Sequence, residues 1–329
     1  MDEVTLQMLR TSLTHVLTED SDAPLSVRLS GLGWEDVLGE DAAVALQTLF
    51  SIRGAALSGA DALGPVLARA VAESTGRPEL VEAAVVLPGG LHPDRLTSRV
   101  EGDQLIVDGT TSASPAGGVT IVPVADGVGG IRIALAPPGS AWSQRAIEGT
   151  DPSMGLVRVS TTFPAPECRW IDGGDAATAW VSCTAQARWA LAAELVGIAY
   201  HVVDSAVEYT GQRKQYGRAI GTFQALQHRL ASAYASVVGA SDVVAEAAAT
   251  GSPWVALVAK ALAGRAAENA CTQAQQSYGA IGFTWEHEFH RYLRRTYVLD
   301  WLFGDWRTLE REIGADLIDR GEVPLIGSL

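Results

Sequence analysis

The sequence predicts an α+β protein with three domains: an N-terminal α-helical domain (residues 1–78), a middle antiparallel β domain (79–172) and a C-terminal domain resembling a four-helix bundle (173–329). Three observations predict this class. Apolar residues recur at three- and four-residue steps in the first part of the chain. β-Branched residues, Gly and Pro dominate the middle part, and the helical period then returns.

The N-terminal part has several helical segments. Its first apolar stripe consists of Leu6, Leu9, Leu13 and Val16. This spacing places the four side chains on one helix face. The ranges 42–52 and 62–72 repeat the pattern, and short Gly-containing connections lie between them.

The middle part changes character after Gly76-Arg77-Pro78. The residues around Gly102 predict a hairpin that pairs 97–100 with 104–107. Further apolar or alternating runs, bounded by Gly or Pro, predict strands over 83–87, 119–124, 131–136 and 156–161.

The C-terminal part begins after Gly173-Gly174. A long helix ending at Gln212 is apolar over more than one face and should pack deeply. Ser252 and Pro253 are typical of a helix start and separate the next two helices. The remaining helices are predicted over 223–250, 253–278, 284–303 and 306–319.

Charge and cysteine usage exclude several function classes. With 24 basic and 38 acidic residues the net charge is −14, which disfavours nucleic acid or an anionic membrane as the main partner. Cys168, Cys183 and Cys271 have no CxxC spacing and fit a reducing compartment. No signal peptide and no long uninterrupted apolar run is visible, so we expect a cytoplasmic protein.

One basic cluster stands out against this acidic background. The segment 211–231 contains Arg213, Lys214, Arg218, His228 and Arg229 around two glycines. An arginine presents a planar fork of donors that matches a phosphate, and the amides at the start of the following helix also favour negative charge. From the residues alone, the cluster is either a solvated helix junction or an anion site.

A second glycine cluster decides between these readings. Residues 213–224 read RKQYGRAIGTFQ, and residues 276–283 read QSYGAIGF. Together they resemble two motifs of the acyl-CoA dehydrogenase family, R-x-x-[FY]-G-x-x-[IL]-x-x-[FHY]-Q and Q-x-x-G-[GA]-x-G-[FYW]. The resemblance is clear over 175–300, extends in layout to 80–172, and is weak before residue 75.

The resemblance implies the cofactor FAD, bound across a subunit interface. Arg213 is implied as a contact of the FAD pyrophosphate, and Tyr216 and Gln224 as neighbours of the adenine portion. Gln276, Gly279 and Ala280 are implied as further side-chain and backbone contacts. In the family these residues approach the FAD that the neighbouring subunit holds.

The catalytic base of the family is missing here. The family removes the α-proton of an acyl-CoA with a glutamate while the β-hydride moves to the flavin. Phe303 stands at the usual glutamate position, and Ala187 at the alternative position in some members. Neither side chain accepts a proton. Asp305 lies two residues away, although a helix cap is the simpler role for it.

The middle domain also departs from the family. The stretches that line the isoalloxazine in the family correspond here to Leu87–Asp94 and Gly109–Pro115, and the usual aromatic residue is gone from the second. The chain's own flavin-holding surface is therefore expected to be eroded. The surface that it offers to a neighbour is expected to be intact.

A metal site is disfavoured. His287 and His290 lie beside Glu286 and Glu288, but a di-iron bundle site needs Glu-x-x-His pairs on two helices. The nine tryptophans are expected to serve the core and interfaces rather than a cofactor.

These expectations combine into a base-lacking subunit of an FAD-dependent acyl-CoA dehydrogenase. The resemblance implies a paralogous partner that carries the glutamate, a heterotetramer, and a relation to the actinobacterial heteromeric enzymes of steroid catabolism. Two alternatives of the same fold stay open, a homo-oligomeric enzyme using Asp305 and a flavin-free scaffold. A plain helical binding protein would not predict both glycine motifs.

Overall fold

The structure, a computed structural model, describes residues 1–21, 23–88 and 96–324. Over these residues helices are followed by strands and then by helices, which confirms the predicted α+β class. The helices described there are α1 Glu3–Thr18, α2 Leu25–Ser30, α3 Trp34–Ala55, α4 Leu63–Thr75, α5 Gly173–Gln212, α6 Gln224–Thr250, α7 Pro253–Tyr278, α8 Phe289–Trp301 and α9 Trp306–Arg320. The strands described there are β1 Ala84–Val85, β2 Arg99–Glu101, β3 Gln104–Thr111, β4 Thr120–Ala125, β5 Ile131–Ala136, β6 Ser143–Ala146, β7 Val157–Pro164, β8 Arg169–Ile171, β9 Lys214–Gln215 and β10 Arg218–Ala219.

Side chains cap the starts of several of these helices. The Asp2 carboxylate accepts a hydrogen bond from the Thr5 amide at the start of α1. The Ser252 hydroxyl accepts from Val255 N, and Pro253 occupies the first turn of α7, as predicted. Gly251, with φ 61°, ends α6 in the left-handed conformation that favours glycine.

Helix α8 is shorter than predicted at both ends. It was expected from residue 284 to 303 but spans Phe289–Trp301. His287 Nδ1 accepts a hydrogen bond from the Phe289 amide at 3.1 Å, so the helix starts later than Thr284. At the other end Phe303 has φ 58°, which a right-handed helix does not allow.

The strands of the middle region form two four-stranded sheets, with strand orders β1-β4-β5-β8 and β2-β3-β7-β6. The predicted hairpin is confirmed, since Glu101 pairs with Gln104 and Gly102 turns the chain with φ 60°. The described strands of this region pair antiparallel as predicted, except that β1 pairs with β4 in parallel. In sequence β2 and β3 lie between β1 and β4, but they belong to the other sheet. No tight turn therefore links β1 to β4, and the two strands need not pair antiparallel.

The two sheets share one apolar core. Alternating residues of both sheets point inward because successive side chains of a strand face opposite sides. The core residues contributed by the first sheet and its neighbours include Val86, Val122, Val124 and Ala134. Those contributed by the second include Leu105, Val107, Val159 and Phe163.

The chain forms two compact units. One contains residues 1–58, 189–300 and 305–329, and the other contains 59–188 and 301–304. These compact units do not test the predicted domain boundaries at residues 78 and 172, which stay a prediction.

Helix α5 contributes residues 173–188 to the second unit and residues 189–212 to the first. Its apolar 18-residue window has a mean hydropathy of 1.4, long and apolar enough to cross a membrane, and 72% of that window is buried inside the protein. In the first unit α5 crosses α3 at very close range. A Cβ at Gly197 would fall inside the van der Waals distance of the Ser51 carbonyl, so only glycine fits there.

Candidate functional site

The first motif folds as a tight hairpin at the end of α5. Strands β9 and β10 pair through Lys214 and Ala219, and the turn between them has φ 53° at Tyr216 and 77° at Gly217. Two successive positive φ values are typical of a two-residue hairpin turn. The Ile220 amide donates to the Arg213 carbonyl at 2.8 Å, which holds the base of the hairpin.

The hairpin presents cations to solvent. Arg213, Lys214 and Arg218 are exposed, and Tyr216 is 91% exposed. The Arg218 guanidinium lies 4.1 Å from the centre of the Phe223 ring. The Arg213 side chain has no hydrogen-bond or ionic partner among the described residues. It therefore remains available to an anion outside this chain.

The start of α6 adds to this positive potential. Gln224, its first residue, is exposed, and the preceding Phe223 makes no side-chain cap. The first amides of a helix have no intrahelical partner and carry the positive end of the helix dipole. An uncapped start beside exposed cations is favourable for a phosphate group.

The second motif forms the end of α7 and the turn after it. Gly279 has φ 64° and ψ −139°, a backbone conformation that essentially only glycine adopts. A Cβ on Gly279 would meet open space, so conformation and not crowding requires glycine. Gln276 and Ala280 are exposed on either side, whereas Gly282 is buried against Tyr278.

The structure brings the two motifs together within one compact unit. Tyr278, which precedes the second turn, donates from its hydroxyl to Ser205 Oγ at 3.0 Å. Its ring lies 5.3 Å from that of Tyr209, one helical turn before Arg213. Burial raises the pKa of Tyr278 above its usual value, so the phenol keeps its proton and donates. Sequence reasoning missed these connecting aromatic residues.

A further contact ties α6 to α7 beside the motifs. Arg229 Nε donates to Gln273 Oε1 at 2.7 Å, so this member of the basic cluster is used inside the protein. The cationic character of the site therefore comes from Arg213, Lys214 and Arg218.

The histidines after the second motif have local contacts. The His287 ring packs on Tyr278 at 4.3 Å, and His290 packs edge-on against Trp285 at 4.5 Å. In the part of the chain that the structure describes, no group of three or more His, Cys, Asp or Glu side chains is arranged to hold a metal.

The two positions at which the resemblance predicts the family's base hold no proton acceptor. Phe303 is 2% exposed and Ala187 is fully buried. Asp305 is the N-cap of α9, where its carboxylate accepts from the amides of Arg307 at 3.1 Å and Thr308 at 3.3 Å. Partial burial raises the pKa of Asp305, but the hydrogen bonds from Thr308 and Arg307 outweigh it and leave the pKa lowered.

The chain's own flavin-facing stretches are described only in part. Of Leu87–Asp94, residues 89–94 lie outside the described residues. In Gly109–Pro115, Thr111 is fully buried, and its Oγ1 accepts from the Ala113 amide at 3.0 Å. This hydroxyl therefore serves a local turn of the chain.

Sequence reasoning missed two buried ionic clusters. Glu194 is fully buried between Arg53 and Arg295 in the first unit, with Arg295 Nη1 at 3.4 Å from Glu194 Oε1. Lys260 is also fully buried and donates to the Asp300 carbonyl at 2.9 Å. The signal in the sequence is a single charge inside an apolar helical run, as in ALAAELVGIA and WVALVAKALAG.

Comparison with known proteins adds a family and a fold. Residues 177–318 match the acyl-CoA dehydrogenase C-terminal domain. The acyl-CoA dehydrogenase IpdE2 of Mycobacterium tuberculosis is 36% identical over 156 residues, which are 47% of this chain and 46% of that protein. The aligned region thus spans less than half of this relative.

Solved structures are similar over the whole chain. A structure of the ChsE4-ChsE5 complex from Mycobacterium tuberculosis has a TM-score of 0.75 at 19% identity and covers 99% of both chains. A structure described as the Tcur3481-Tcur3483 steroid ACAD G363A variant has a TM-score of 0.73 at 23% identity, with coverage of 97% and 98%. At these identities the likeness establishes the fold.

Proposed function

We propose that this chain, which belongs to the acyl-CoA dehydrogenase family through its C-terminal domain at residues 177–318, is the base-lacking subunit of a heteromeric acyl-CoA dehydrogenase. Members of the family are FAD-dependent flavoproteins that oxidise the α,β bond of acyl-CoA thioesters. The partner supplies the catalytic glutamate, and this chain supplies cofactor-binding residues across the interface.

The observation that carries the proposal is the burial of Phe303 at the base position. Removing an α-proton needs a carboxylate within hydrogen-bond reach of that proton. Phe303 and Ala187 have none, and Asp305 is engaged as the cap of α9. None of these three residues is therefore placed to start the reaction in this chain's own fold.

The two glycine motifs, in contrast to the predicted base positions, expose groups that suit a cofactor. Arg213 is exposed with no internal partner among the described residues, and Tyr216 projects from the tip of its hairpin. When bound, FAD supplies the hydride acceptor of the family's reaction. These residues fit the pyrophosphate and adenine half of FAD: Arg213 would bind the phosphates, and Tyr216 and Gln224 would contact the adenine portion. Gln276, Gly279 and Ala280 would make further side-chain and backbone contacts.

The relatives suggest the partner and the substrate class. One neighbour is a complex of two ChsE proteins, and another is described as a steroid dehydrogenase. We therefore assign to this chain a paralogous partner subunit in a cytoplasmic heterotetramer and a steroid-derived acyl-CoA as substrate.

The test is to co-express the chain with candidate paralogous partners and to count flavins per chain in the purified assembly. One FAD per heterodimer supports the proposal. Acyl-CoA turnover by the chain purified alone with FAD supports the homo-oligomeric alternative. A stable assembly without flavin supports the scaffold alternative.

Arg213→Ala sharpens this test. A charge-assisted hydrogen bond contributes about 1.5–3 kcal/mol, so the dissociation constant of FAD should rise by about 10- to 150-fold. Flavin content is measured by absorbance during titration of the apo-assembly with FAD.

Two matched variants separate geometry from charge. Lys214→Ala removes a neighbouring exposed cation and should weaken FAD binding far less. Arg213→Lys keeps the charge but loses the planar fork, and its affinity should fall between those of the wild type and Arg213→Ala. Equal FAD affinity of Arg213→Ala and the wild type would exclude Arg213 from the cofactor site.

A further inference from the structure

The corner that follows α8 has an unusual backbone. Phe303 and Gly304 both have positive φ, 58° and 106°. Glycine adopts this region readily, but a bulky residue there is an outlier that persists only where its surroundings hold it. Neighbouring residues must therefore hold Phe303 in this conformation.

Two residues of α5 hold Phe303 within its own compact unit. Arg188 Nε donates to the Phe303 carbonyl at 3.2 Å. The Phe303 ring lies 6.4 Å from the Trp180 ring at an interplanar angle of 37°. Phe303 is 2% exposed and Trp180 5% exposed, so the two rings exclude solvent from the corner.

Thr184 lies on the same face of α5, between these two contacts. Trp180, Thr184 and Arg188 follow each other at four-residue steps, which places them along one side of the helix. Trp180 Nε1 and Thr184 Oγ1 are buried and have no hydrogen-bond partner in the part of the chain that the structure describes. Unpaired buried polar atoms are rare in proteins. The Phe303 ring carries no hydrogen-bonding group that could pair with them, and this mismatch is a specific feature of the corner.

We infer that Phe303 and Trp180 close the place in this chain where the family holds its base and the reacting end of the acyl chain. The inference rests on the proposed function, in which Phe303 replaces the family's glutamate. The ring does more than replace a carboxylate, because it is buried against the face of α5 that also carries the buried Thr184. At this corner the chain then has no room for an acyl group of its own.

Thiol accessibility tests the closure on the full chain without partner or cofactor. Thr184→Cys places a thiol on the closed face, and Cys183→Ala in the same background leaves it as the single thiol of tryptic peptide 170–188. The probe is N-ethylmaleimide, and mass spectrometry of that peptide gives the rate of modification.

The closed corner should leave Cys at position 184 as slow to react as the buried Cys271. Adding Phe303→Gly, which also suits the positive φ, should raise the rate by about tenfold or more. If that variant shows no cooperative melting, Trp180→Ala in the same background opens the other half of the contact and should give the same increase.

Phe163→Ala is the matched control, because it truncates a buried aromatic residue in the sheet core of the same unit. It should leave the modification rate unchanged. Rapid modification with both rings present, no acceleration in either opened variant, or equal acceleration by Phe163→Ala would overturn the inference. None of these results depends on FAD or on a partner, so the closure and the proposed function can fail separately.

Discussion

Asp305 distinguishes the proposed function from the homo-oligomeric alternative, and two substitutions separate its possible roles. In the structure its carboxylate accepts from two backbone amides and caps α9. A cap needs only an acceptor oxygen, whereas a base needs a carboxylate. Asparagine keeps the first property and lacks the second. Alanine lacks both.

The expected magnitudes follow from this geometry. Asp305→Asn should leave the free energy of unfolding nearly unchanged, because Asn and Asp are about equally good caps. Asp305→Ala should lower it by about 1 kcal/mol, a shift in Tm of about 2–4 °C for a cooperative unit of 150–250 residues. Both variants should keep the dehydrogenation rate of the assembled enzyme.

The assay combines thermal unfolding with dye-linked acyl-CoA oxidation, for the chain alone and for the chain with its partner. General base catalysis contributes about 100- to 10,000-fold to a rate. A loss of that size in Asp305→Asn, at unchanged Tm, would refute the assignment of Asp305 as a cap and identify it as the base.

The pH dependence gives an independent check of the same cap. The pKa of Asp305 is lowered in the folded chain, so its ionised form stabilises the fold above the unfolded pKa of about 3.9. That contribution is lost as the pH falls through the folded value. The wild type should therefore lose stability in this acid range relative to Asp305→Asn, and the two should run parallel from about pH 5 to 8.

Two further predictions concern the helical unit. Glu194→Gln removes a carboxylate that neutralises the buried guanidinium groups of Arg53 and Arg295, and it should lower the free energy of unfolding by about 3–5 kcal/mol in urea titrations. Gly197→Ala should lower it by about 1–3 kcal/mol although alanine favours helix, because its Cβ meets the Ser51 carbonyl where α3 and α5 cross. Each substitution has an exposed control. For Glu194→Gln it is Glu208→Gln, which should change the free energy of unfolding by less than about 0.5 kcal/mol. For Gly197→Ala it is Gly239→Ala in α6, where a Cβ meets nothing within 4 Å, and this change should stabilise the fold by about 0.5–1 kcal/mol. A small loss of stability in Glu194→Gln, or a gain in stability in Gly197→Ala, would contradict the packing described for α5.

The family and the fold class were predictable from two short motifs and the change of periodicity along the chain. Residues 177–318 match the C-terminal domain of the predicted family, and solved structures confirm the predicted fold. Gly217 and Gly279 made the motifs recognisable, because few residues other than glycine adopt their backbone conformations. The roles of the site residues around Arg213 stay predictions, although the structure places both motifs in one unit.

The parts that escaped prediction depend on contacts between distant residues. The late start of α8 comes from an imidazole that caps its first amide, and the parallel pairing of β1 comes from two strands that lie in another sheet. Glu194 reads in sequence as one charge in an apolar run, and only packing supplies its two arginines.

By itself, the sequence determined the order of helices and strands and the two glycine turns, and it placed a phenylalanine at position 303, where a proton acceptor is predicted for the family. These features depend on local backbone preference and on residue identity, which need no partner. The tertiary structure decided that Tyr209 and Tyr278 join the two motifs, that Asp305 caps a helix, and that Phe303 is sealed against Trp180. The physical reason is that burial and hydrogen bonding arise between side chains far apart in sequence, and only the folded chain sets those distances.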